Sequence, residues 1–237
     1  MNGVPKLGLV LIPGLLCDAL LWKEQIEALG GQIKCWVPDH TRSDTMAGVA
    51  ADVLREAPFE RFALAGLSMG GYVALEVMRQ ASHRVDQLAL LDTSARADTP
   101  QQLEKRRGLI ALARRGRFIG VTQGLLPLFI HRSRLADEKL VTTVKKMARN
   151  IGRDAFVRQE EAIMSRVDSL PLLPTIACPT LVLCGRHDAV APLDRHEEMA
   201  KGIPGATLVV IEECGHLSTL ERPAEVTGAL RTWLSAG

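Results

Sequence analysis

The stretch 63-ALAGLSMGGYVALEVM-78 decides how the rest of this 237-residue chain is organised. An apolar run suited to a β-strand, Phe62–Leu67, is followed by Ser68 between Gly66 and Gly70, and then by an apolar run with helical spacing. A serine in so sharp a strand-to-helix turn takes unfavourable backbone angles, so its neighbours must be nearly free of side chains. The pattern is typical of a nucleophile elbow, which projects the serine above a sheet at a helix N-terminus.

Length and composition indicate the class of protein. With 47% apolar and 24% charged residues, the chain has the composition of a globular domain and can bury a full core. No apolar run reaches the roughly 18 residues of a membrane helix, and residues 6–17 are interpreted as a buried strand and loop rather than an export signal. The net charge of +2 does not indicate a nucleic-acid partner. Five cysteines without metal-ligand spacing predict reduced thiols in a cytoplasmic protein with no membrane partner.

Short apolar runs alternate with amphipathic stretches, which predicts a parallel sheet with helices on both faces. The predicted strands cover residues 7–12, 33–37, 62–67, 87–91, 180–184 and 207–211. The predicted helices cover residues 19–29, 43 or 44 (as the cap) to 57, 69–81, 193–201 and 223–234. Between residues 99 and 173 only helical periodicity is present, with helices predicted over 101–115, 117–125, 137–150 and 153–166. We therefore predict an α/β core over residues 1–95 and 174–237 and an inserted helical cap over residues 96–173.

The predicted cap is basic. Between residues 96 and 166 there are 16 Lys/Arg and seven Asp/Glu residues, a net charge of +9, so the remainder of the chain carries −7. One interpretation is a solvated face of exposed helices. The other is that the cap attracts anionic substrates into a cleft.

Three polar residues each follow a predicted strand. They are expected at the edge formed by the carboxyl ends of the strands, where doubly wound sheets bind their ligands. Ser68 follows the third strand, Asp188 the fifth and His216 the sixth. A serine hydroxyl is a poor nucleophile until an imidazole accepts its proton, and the imidazole needs a carboxylate to fix its tautomer. Asp92, at the end of the fourth strand, is an alternative carboxylate. The other five histidines are interpreted as surface or structural residues, namely His40, His83, His131, His187 and His196.

Most of the chain resembles the α/β-hydrolase family, of the esterase and lactonase type. The resemblance rests on four stretches, 9-LVLIPGLLCDALLW-22, 64-LAGLSMGGYVALE-76, 178-CPTLVLCGRHDAVAP-192 and 211-IEECGHLSTLERPAEV-226. It implies a doubly wound, mostly parallel sheet of about six strands, with Ser68 as nucleophile, His216 as general base and Asp188, favoured over Asp92, as the acid. The same resemblance implies an oxyanion hole made by the backbone N–H groups of Leu15 and Met69. It implies no metal or organic cofactor.

Two departures from the family pattern bear on the fold and the site. Many members carry His-Gly where this chain has Pro13-Gly14, which removes a side chain that can brace the oxyanion loop but leaves the Leu15 N–H. Members usually have about twenty more residues, which form a strand pair before the strand that ends in this loop. The sheet is then expected to lack that pair, and residues 33–37 become an apolar edge. We expect a homodimer partner or a flanking loop to cover that edge.

These features predict a serine hydrolase that cleaves a small carboxylic ester, thioester or lactone through an acyl-enzyme. The chain resembles both enol-lactonases and methyl esterases that act on acyl-carrier conjugates. Two other classes stay open: cofactor-free haloperoxidase or C–C bond hydrolase chemistry on the same fold, and a non-hydrolytic ligand receptor. Four residues are candidates to line the acyl pocket, with core or cap packing as the alternative for each: Trp22, Phe129, Met147 and Met164.

Overall fold

Six parallel strands form the sheet in the computed structural model, which describes residues 8–236. They are β1 (Gly8–Ile12), β2 (Lys34–Trp36), β3 (Phe62–Leu67), β4 (Val85–Leu91), β5 (Thr180–Gly185) and β6 (Thr207–Ile211). Their spatial order is β2-β1-β3-β4-β5-β6, and every pairing between neighbours is parallel. The predicted doubly wound sheet of about six strands is therefore confirmed. Leu7, predicted as the first residue of β1, lies outside the described residues.

Helices cover both faces of this sheet, and others lie in the segment between β4 and β5. The helices are α1 (Lys23–Leu29), α2 (Met46–Glu56), α3 (Met69–Ala81), α4 (Pro100–Arg114), α5 (Leu126–Phe129), α6 (Glu138–Met164), α7 (Leu193–Gly202), α8 (Ser218–Glu221) and α9 (Pro223–Leu234). Side chains alternate across a strand, so each face has its own core. Leu9 and Leu11 of β1 pack into one core, and Val10 and Ile12 pack into the other. A strand buried on both faces must be apolar throughout, which is why β1 could be predicted from its sequence.

The strand order also determines where the site lies. The order runs from β1 outward to β2 in one direction and from β3 outward to β6 in the other. The switch in winding direction therefore lies between β1 and β3, and doubly wound sheets bind ligands at the carboxyl ends of strands at such a switch. Residues 13–16 follow β1 and Ser68 follows β3. The topology thus brings this loop beside the serine.

The chain between β4 and β5 is helical, with no strand in this fully described segment. The helices predicted over 101–115, 137–150 and 153–166 correspond to α4 and to the two halves of α6, which is broken at Gly152 by a φ of 74°. The helix predicted over 117–125 is wrong. Gly116 and Gly120 have φ angles of 76° and 64°, and these left-handed positions end α4 and prevent helix immediately after it.

Two predicted helix starts also differ from the structure. The helix predicted over 19–29 begins as a 3₁₀ turn, Ala19–Trp22, before α1. The N-cap of α2 is Thr45, whose hydroxyl accepts from the Gly48 N–H, rather than Ser43 or Asp44. The Ser43 hydroxyl donates to Asp52 instead. Within residues 8–236, no helix has the length and apolar character that crossing a bilayer requires.

Strand β2 lies at the edge of the sheet, as expected for residues 33–37. It is three residues long and carries the exposed Lys34, two features that limit unwanted strand pairing. The flanking Ile33 and Val37 pack against one core of the protein. A partner or loop that covers this edge stays a prediction, for which slow amide exchange of residues 34–36 in a dimer is the expected result. Fast exchange in a monomer would contradict it.

Candidate active site

Ser68 occupies a strained turn between β3 and α3. Its backbone angles, φ 55° and ψ −116°, lie where residues other than glycine are rarely found. The turn leaves no room for side chains, since a Cβ on Gly66 would lie 2.1 Å from the Gly70 carbonyl oxygen and one on Gly70 would lie 2.1 Å from the Ile12 carbonyl oxygen. The Ser68 N–H donates to the Leu91 carbonyl at 3.0 Å, which ties the turn to β4. The strand–serine–helix turn expected from the sequence is present.

His216 lies on the loop between β6 and α8 and joins Ser68 to Asp188. Its Nε2 is 2.9 Å from Ser68 Oγ, and its Nδ1 is 2.8 Å from Asp188 Oδ2. The histidine and aspartate side chains are both buried. The structure therefore brings together the three residues that the sequence singled out. Their arrangement allows the imidazole to accept a proton from the serine while the carboxylate holds the opposite nitrogen protonated.

Burial and the Asp188–His216 contact have opposite effects on the pKa of each partner. Burial alone would raise the pKa of Asp188. The charge of His216, its hydrogen bond, and the N–H groups of Ala191 and Val190 outweigh burial and lower that pKa. Burial alone would lower the pKa of His216, but the charge of Asp188 and their hydrogen bond outweigh burial and raise it. The imidazole is consequently a stronger base than a free histidine.

Asp92, the alternative acid, is fully buried beside this pair but does not contact the imidazole by a hydrogen bond. Its Oδ1 accepts from the Gly185 N–H at 3.0 Å, and its Oδ2 accepts from the N–H and hydroxyl of Ser218. Burial, and then the charge of Asp188, raise the pKa of Asp92 well above its ordinary value. Asp92 thus links Gly185, at the end of β5, to Ser218, which lies two residues after His216. The geometry favours Asp188 as the partner of the imidazole.

Two backbone N–H groups beside Ser68 have no hydrogen-bond partner among residues 8–236. They belong to Leu15 and Met69, the residues expected to form the oxyanion hole. Met69 is the first residue of α3, where an N–H has no acceptor within the helix. Gly14 packs directly on the serine, since a Cβ there would lie 3.3 Å from Ser68 Cβ. The loop after β1 therefore lies against Ser68.

A cavity of about 350 Å³ opens over Ser68 and His216. Most of its wall is apolar: Leu15, Leu16, Cys17, Leu67, Tyr72, Leu109, Val121, Leu128, Phe129, Val144, Ile163, Val190 and Leu217. Of the four residues predicted to line a pocket, only Phe129 does so. Trp22 and Met147 point into the sheet core and are fully buried there. Met164 packs on the outer side, in a cluster between α4 and α6.

One face of α4 adds a polar wall to the cavity. Gln102, Lys105 and Arg106 line it at the three- and four-residue spacing of a helix face. The Arg106 guanidinium donates at 2.6 Å to each of two buried carboxylates, Asp98 and Glu160. Lys105 is exposed and forms no ion pair with a described residue. Lys105 is therefore the uncompensated cation of this wall.

Two buried polar residues at the loop after β1 were not singled out by the sequence. Gln159 Oε1 accepts from the Leu16 N–H at 3.2 Å, and its amide nitrogen lies 3.0 Å from His40 Nε2. The same imidazole nitrogen lies 3.1 Å from the Gly14 carbonyl oxygen. His40 was expected to be a surface or structural residue. Its partner is 119 positions away on α6, so no local sequence signal could connect the two.

Among the described residues, the other histidines and the cysteines make no hydrogen bond with the side chains of Ser68, His216 or Asp188. His196 is buried, accepts from the Thr93 N–H at 2.9 Å, and has its pKa lowered by burial to about 4. Cys214 is a buried thiol whose pKa is raised by burial. The rings of His131 and His187 lie 4.7 Å apart, centroid to centroid. In the part of the chain that the structure describes, no three His, Cys, Asp or Glu side chains are grouped to hold a metal ion.

Comparison with known proteins gives matches over most of the chain. A family model described as alpha/beta hydrolase fold matches residues 9–223, a range that includes Ser68, Asp188 and His216. A solved structure of a thermophilic esterase from Thermogutta terrifontis, in a malate-bound form, is 32% identical to this chain. It superposes with a TM-score of 0.88 and covers 97% of this chain and 90% of that one.

Two curated proteins are more distant relatives. The pimeloyl-[acyl-carrier protein] methyl ester esterase of Nitrosomonas europaea is 25% identical over 230 residues, 92% of this chain and 91% of that protein. The 2-hydroxy-6-oxononadienedioate/2-hydroxy-6-oxononatrienedioate hydrolase of a Pseudomonas species is 27% identical over 186 residues, 76% of this chain. That match spans 65% of the Pseudomonas enzyme, less than two thirds of its length.

Proposed function

This chain belongs to the α/β-hydrolase fold family, and from that premise we propose that it is a serine hydrolase of a small carboxylic ester, thioester or lactone. One observation carries the proposal. The hydrogen-bonded series of Ser68, His216 and Asp188 opens into a cavity with a largely apolar wall. Beside it are two backbone N–H groups that have no hydrogen-bond partner among the described residues. The relatives named as an esterase and a methyl ester esterase support the same class of reaction.

In the proposed reaction, Ser68 Oγ attacks the carbonyl carbon while His216 Nε2 accepts the hydroxyl proton. Asp188 keeps Nδ1 protonated and stabilises the imidazolium that forms. The N–H groups of Leu15 and Met69 donate to the carbonyl oxygen as it becomes an oxyanion, and the apolar surroundings strengthen these interactions. The imidazolium then protonates the leaving group. A water molecule, deprotonated by the same imidazole, releases the acid from Ser68.

We assign residues 96–173 to a cap and the rest of the chain to the hydrolase core. Helices α4 and α6 supply much of the cavity wall. The cap also contacts the loop between β6 and α8, which carries His216. The N–H groups of His216 and Leu217 both donate to the Phe129 carbonyl at 3.1 Å. The cap therefore selects the acyl and leaving groups that reach Ser68.

Ester hydrolysis is expected to fall at low pH, as His216 becomes protonated and can no longer act as a base. The charge of Asp188 raises the pKa of His216 above the ordinary 6.5, so the acid limb of kcat/KM should lie above pH 6.5. Initial rates with p-nitrophenyl butyrate between about pH 5 and about pH 9 check this expectation. An acid limb clearly below the ordinary histidine pKa would contradict it.

The polar wall of the cavity supports a substrate that carries a negative charge at a distance from the ester. Lys105→Gln is expected to lower kcat/KM for the monomethyl ester of a linear dicarboxylic acid about fivefold to tenfold, mainly through KM. This loss corresponds to about 1 kcal/mol, the upper end for an exposed ion pair, because Lys105 is exposed. The neutral methyl ester of equal chain length should be hydrolysed at the wild-type rate.

The matched control for this variant is Lys139→Gln. Lys139 is also exposed and lies on α6, but it does not line the cavity. Each variant removes one positive charge from the basic segment, residues 96–166. Equal effects of the two variants would show that the segment acts only through its overall field. An unchanged Lys105→Gln enzyme would contradict a charge contact in the cavity.

A second candidate function is hydrolysis of a C–C bond, and the relative from Pseudomonas is the observation that favours it. Both candidates use the same serine and histidine, so the substrate distinguishes them. We expect turnover of p-nitrophenyl acetate and butyrate with a burst, and labelling of the protein by a fluorophosphonate probe. A screen of ester chain lengths, lactones, carrier thioesters and a 2-hydroxy-6-oxodienoate then identifies the class. No burst and no labelling would contradict the proposed function.

A further inference from the structure

Two buried side chains hold the loop that carries the Leu15 N–H. A peptide unit is planar and trans, so the carbonyl of Gly14 and the N–H of Leu15 belong to one rigid unit and point in opposite directions. The Gly14 carbonyl oxygen accepts from the Cys17 N–H at 3.1 Å and lies 3.1 Å from His40 Nε2. Fixing this carbonyl therefore fixes the direction of the Leu15 N–H on the other side of the unit.

The next peptide unit is held as well. It joins the Leu15 carbonyl to the Leu16 N–H, which donates to Gln159 Oε1 at 3.2 Å. Leu16 has a φ of 60°, a left-handed conformation that is unfavourable for a residue with a side chain. Such a conformation persists only where neighbouring groups determine it. With both flanking units held, the backbone angles of Leu15 have little freedom.

The two holding residues also contact each other. The amide nitrogen of Gln159 lies 3.0 Å from His40 Nε2, and both side chains are buried, Gln159 completely. Burial lowers the pKa of His40, which keeps the imidazole neutral. A neutral imidazole nitrogen either donates or accepts, so Nε2 pairs with the Gly14 carbonyl or with the Gln159 amide. In either tautomer the ring stays packed between these two groups.

We propose that His40 and Gln159 are positioning residues that aim the Leu15 N–H at the oxyanion. The inference rests on the proposed function, in which that N–H stabilises negative charge on the substrate oxygen. Because Gln159 lies on α6, the cap contributes to the catalytic geometry and not only to the cavity wall.

The test is kinetic, with Gln159→Leu and His40→Leu as the variants. A misdirected oxyanion donor weakens the transition state more than the bound substrate. We therefore expect kcat for p-nitrophenyl butyrate to fall about 10- to 100-fold with KM changed less than about twofold. The inhibition constant of n-butaneboronic acid, whose adduct with Ser68 places an oxygen at the oxyanion position, should rise in parallel.

The matched control is Gln87→Leu. Gln87 is a buried glutamine near the start of β4, at the end of the sheet away from Ser68, and its amide donates to the Trp233 carbonyl at 2.6 Å. This variant should unfold at a lower temperature but retain the wild-type kcat. Folded Gln159→Leu and His40→Leu proteins with wild-type kcat and boronate affinity would overturn the inference. A wild-type protein that neither turns over the ester nor binds the boronate would instead refute the proposed function itself.

Discussion

Ser68→Ala is expected to abolish hydrolysis, with a loss of about 10⁴- to 10⁶-fold in kcat and no loss of fold. In the proposed mechanism this hydroxyl forms the acyl-enzyme, and without it His216 can only activate water. Alanine at this position keeps the backbone of the strained turn and removes one oxygen. The measurement is the initial rate with p-nitrophenyl butyrate, together with the melting temperature and fluorophosphonate labelling.

Ser82→Ala is the matched control for this experiment. Ser82 is an exposed serine at the far end of the same helix, α3, and removing its hydroxyl should leave the rate and the labelling unchanged. Activity of Ser68→Ala above about one tenth of the wild-type rate would place the nucleophile elsewhere. Labelling that persists in Ser68→Ala would lead to the same conclusion.

The core of the fold could be predicted because its signals are local. Strands β3 and β6 have the predicted bounds, since each is a short apolar run between residues that interrupt it. The turn at Ser68 could be predicted because only glycine fits two positions before it and two positions after it. His216 and Asp188 could be placed because parallel strands end at the same edge of the sheet.

The segment between β4 and β5 was less predictable because its structure depends on contacts distant in the sequence. Periodicity indicated a helix over 117–125, but it could not show that Gly116 and Gly120 adopt left-handed angles. The residues that line the cavity were harder to predict than the helices of this segment. Ile163 and Met164 are adjacent on α6, yet Ile163 lines the cavity and Met164 packs in the outer cluster between α4 and α6. Which side of a helix meets the cleft depends on how the helix packs.

The charges of residues 96–166 were also only partly predictable from the sequence. A net charge of +9 predicts a positive field, but the sequence could not show which cations are neutralised. The Asp98 side chain is almost fully buried and forms ion pairs with both Arg106 and Arg166, so these two guanidinium groups mainly join parts of this segment to one another. Lys105 has no such partner among the described residues and therefore carries the expectation of an anionic substrate.

Asp188→Asn is expected to lower kcat about 10⁴-fold, the second largest effect after loss of the nucleophile. Asparagine preserves the shape of the side chain but can present an N–H to His216 Nδ1, which favours the tautomer with the proton on Nε2. That tautomer cannot accept the proton of Ser68. The loss of the negative charge also removes the group that stabilises the imidazolium, so the rate should not recover at high pH.

Asp92→Asn is the comparison that decides between the two carboxylates. Asp92 accepts hydrogen bonds from the Gly185 N–H and from Ser218 but makes none with the imidazole, so kcat should fall less than about tenfold. The melting temperature should fall instead, because an asparagine N–H would face one of the donors that the carboxylate now accepts from. A nearly wild-type Asp188→Asn enzyme beside an inactive Asp92→Asn enzyme would reverse the assignment. The acid would then lie at the end of β4. The 2.8 Å contact between His216 and Asp188 would only hold the loop between β6 and α8 in position.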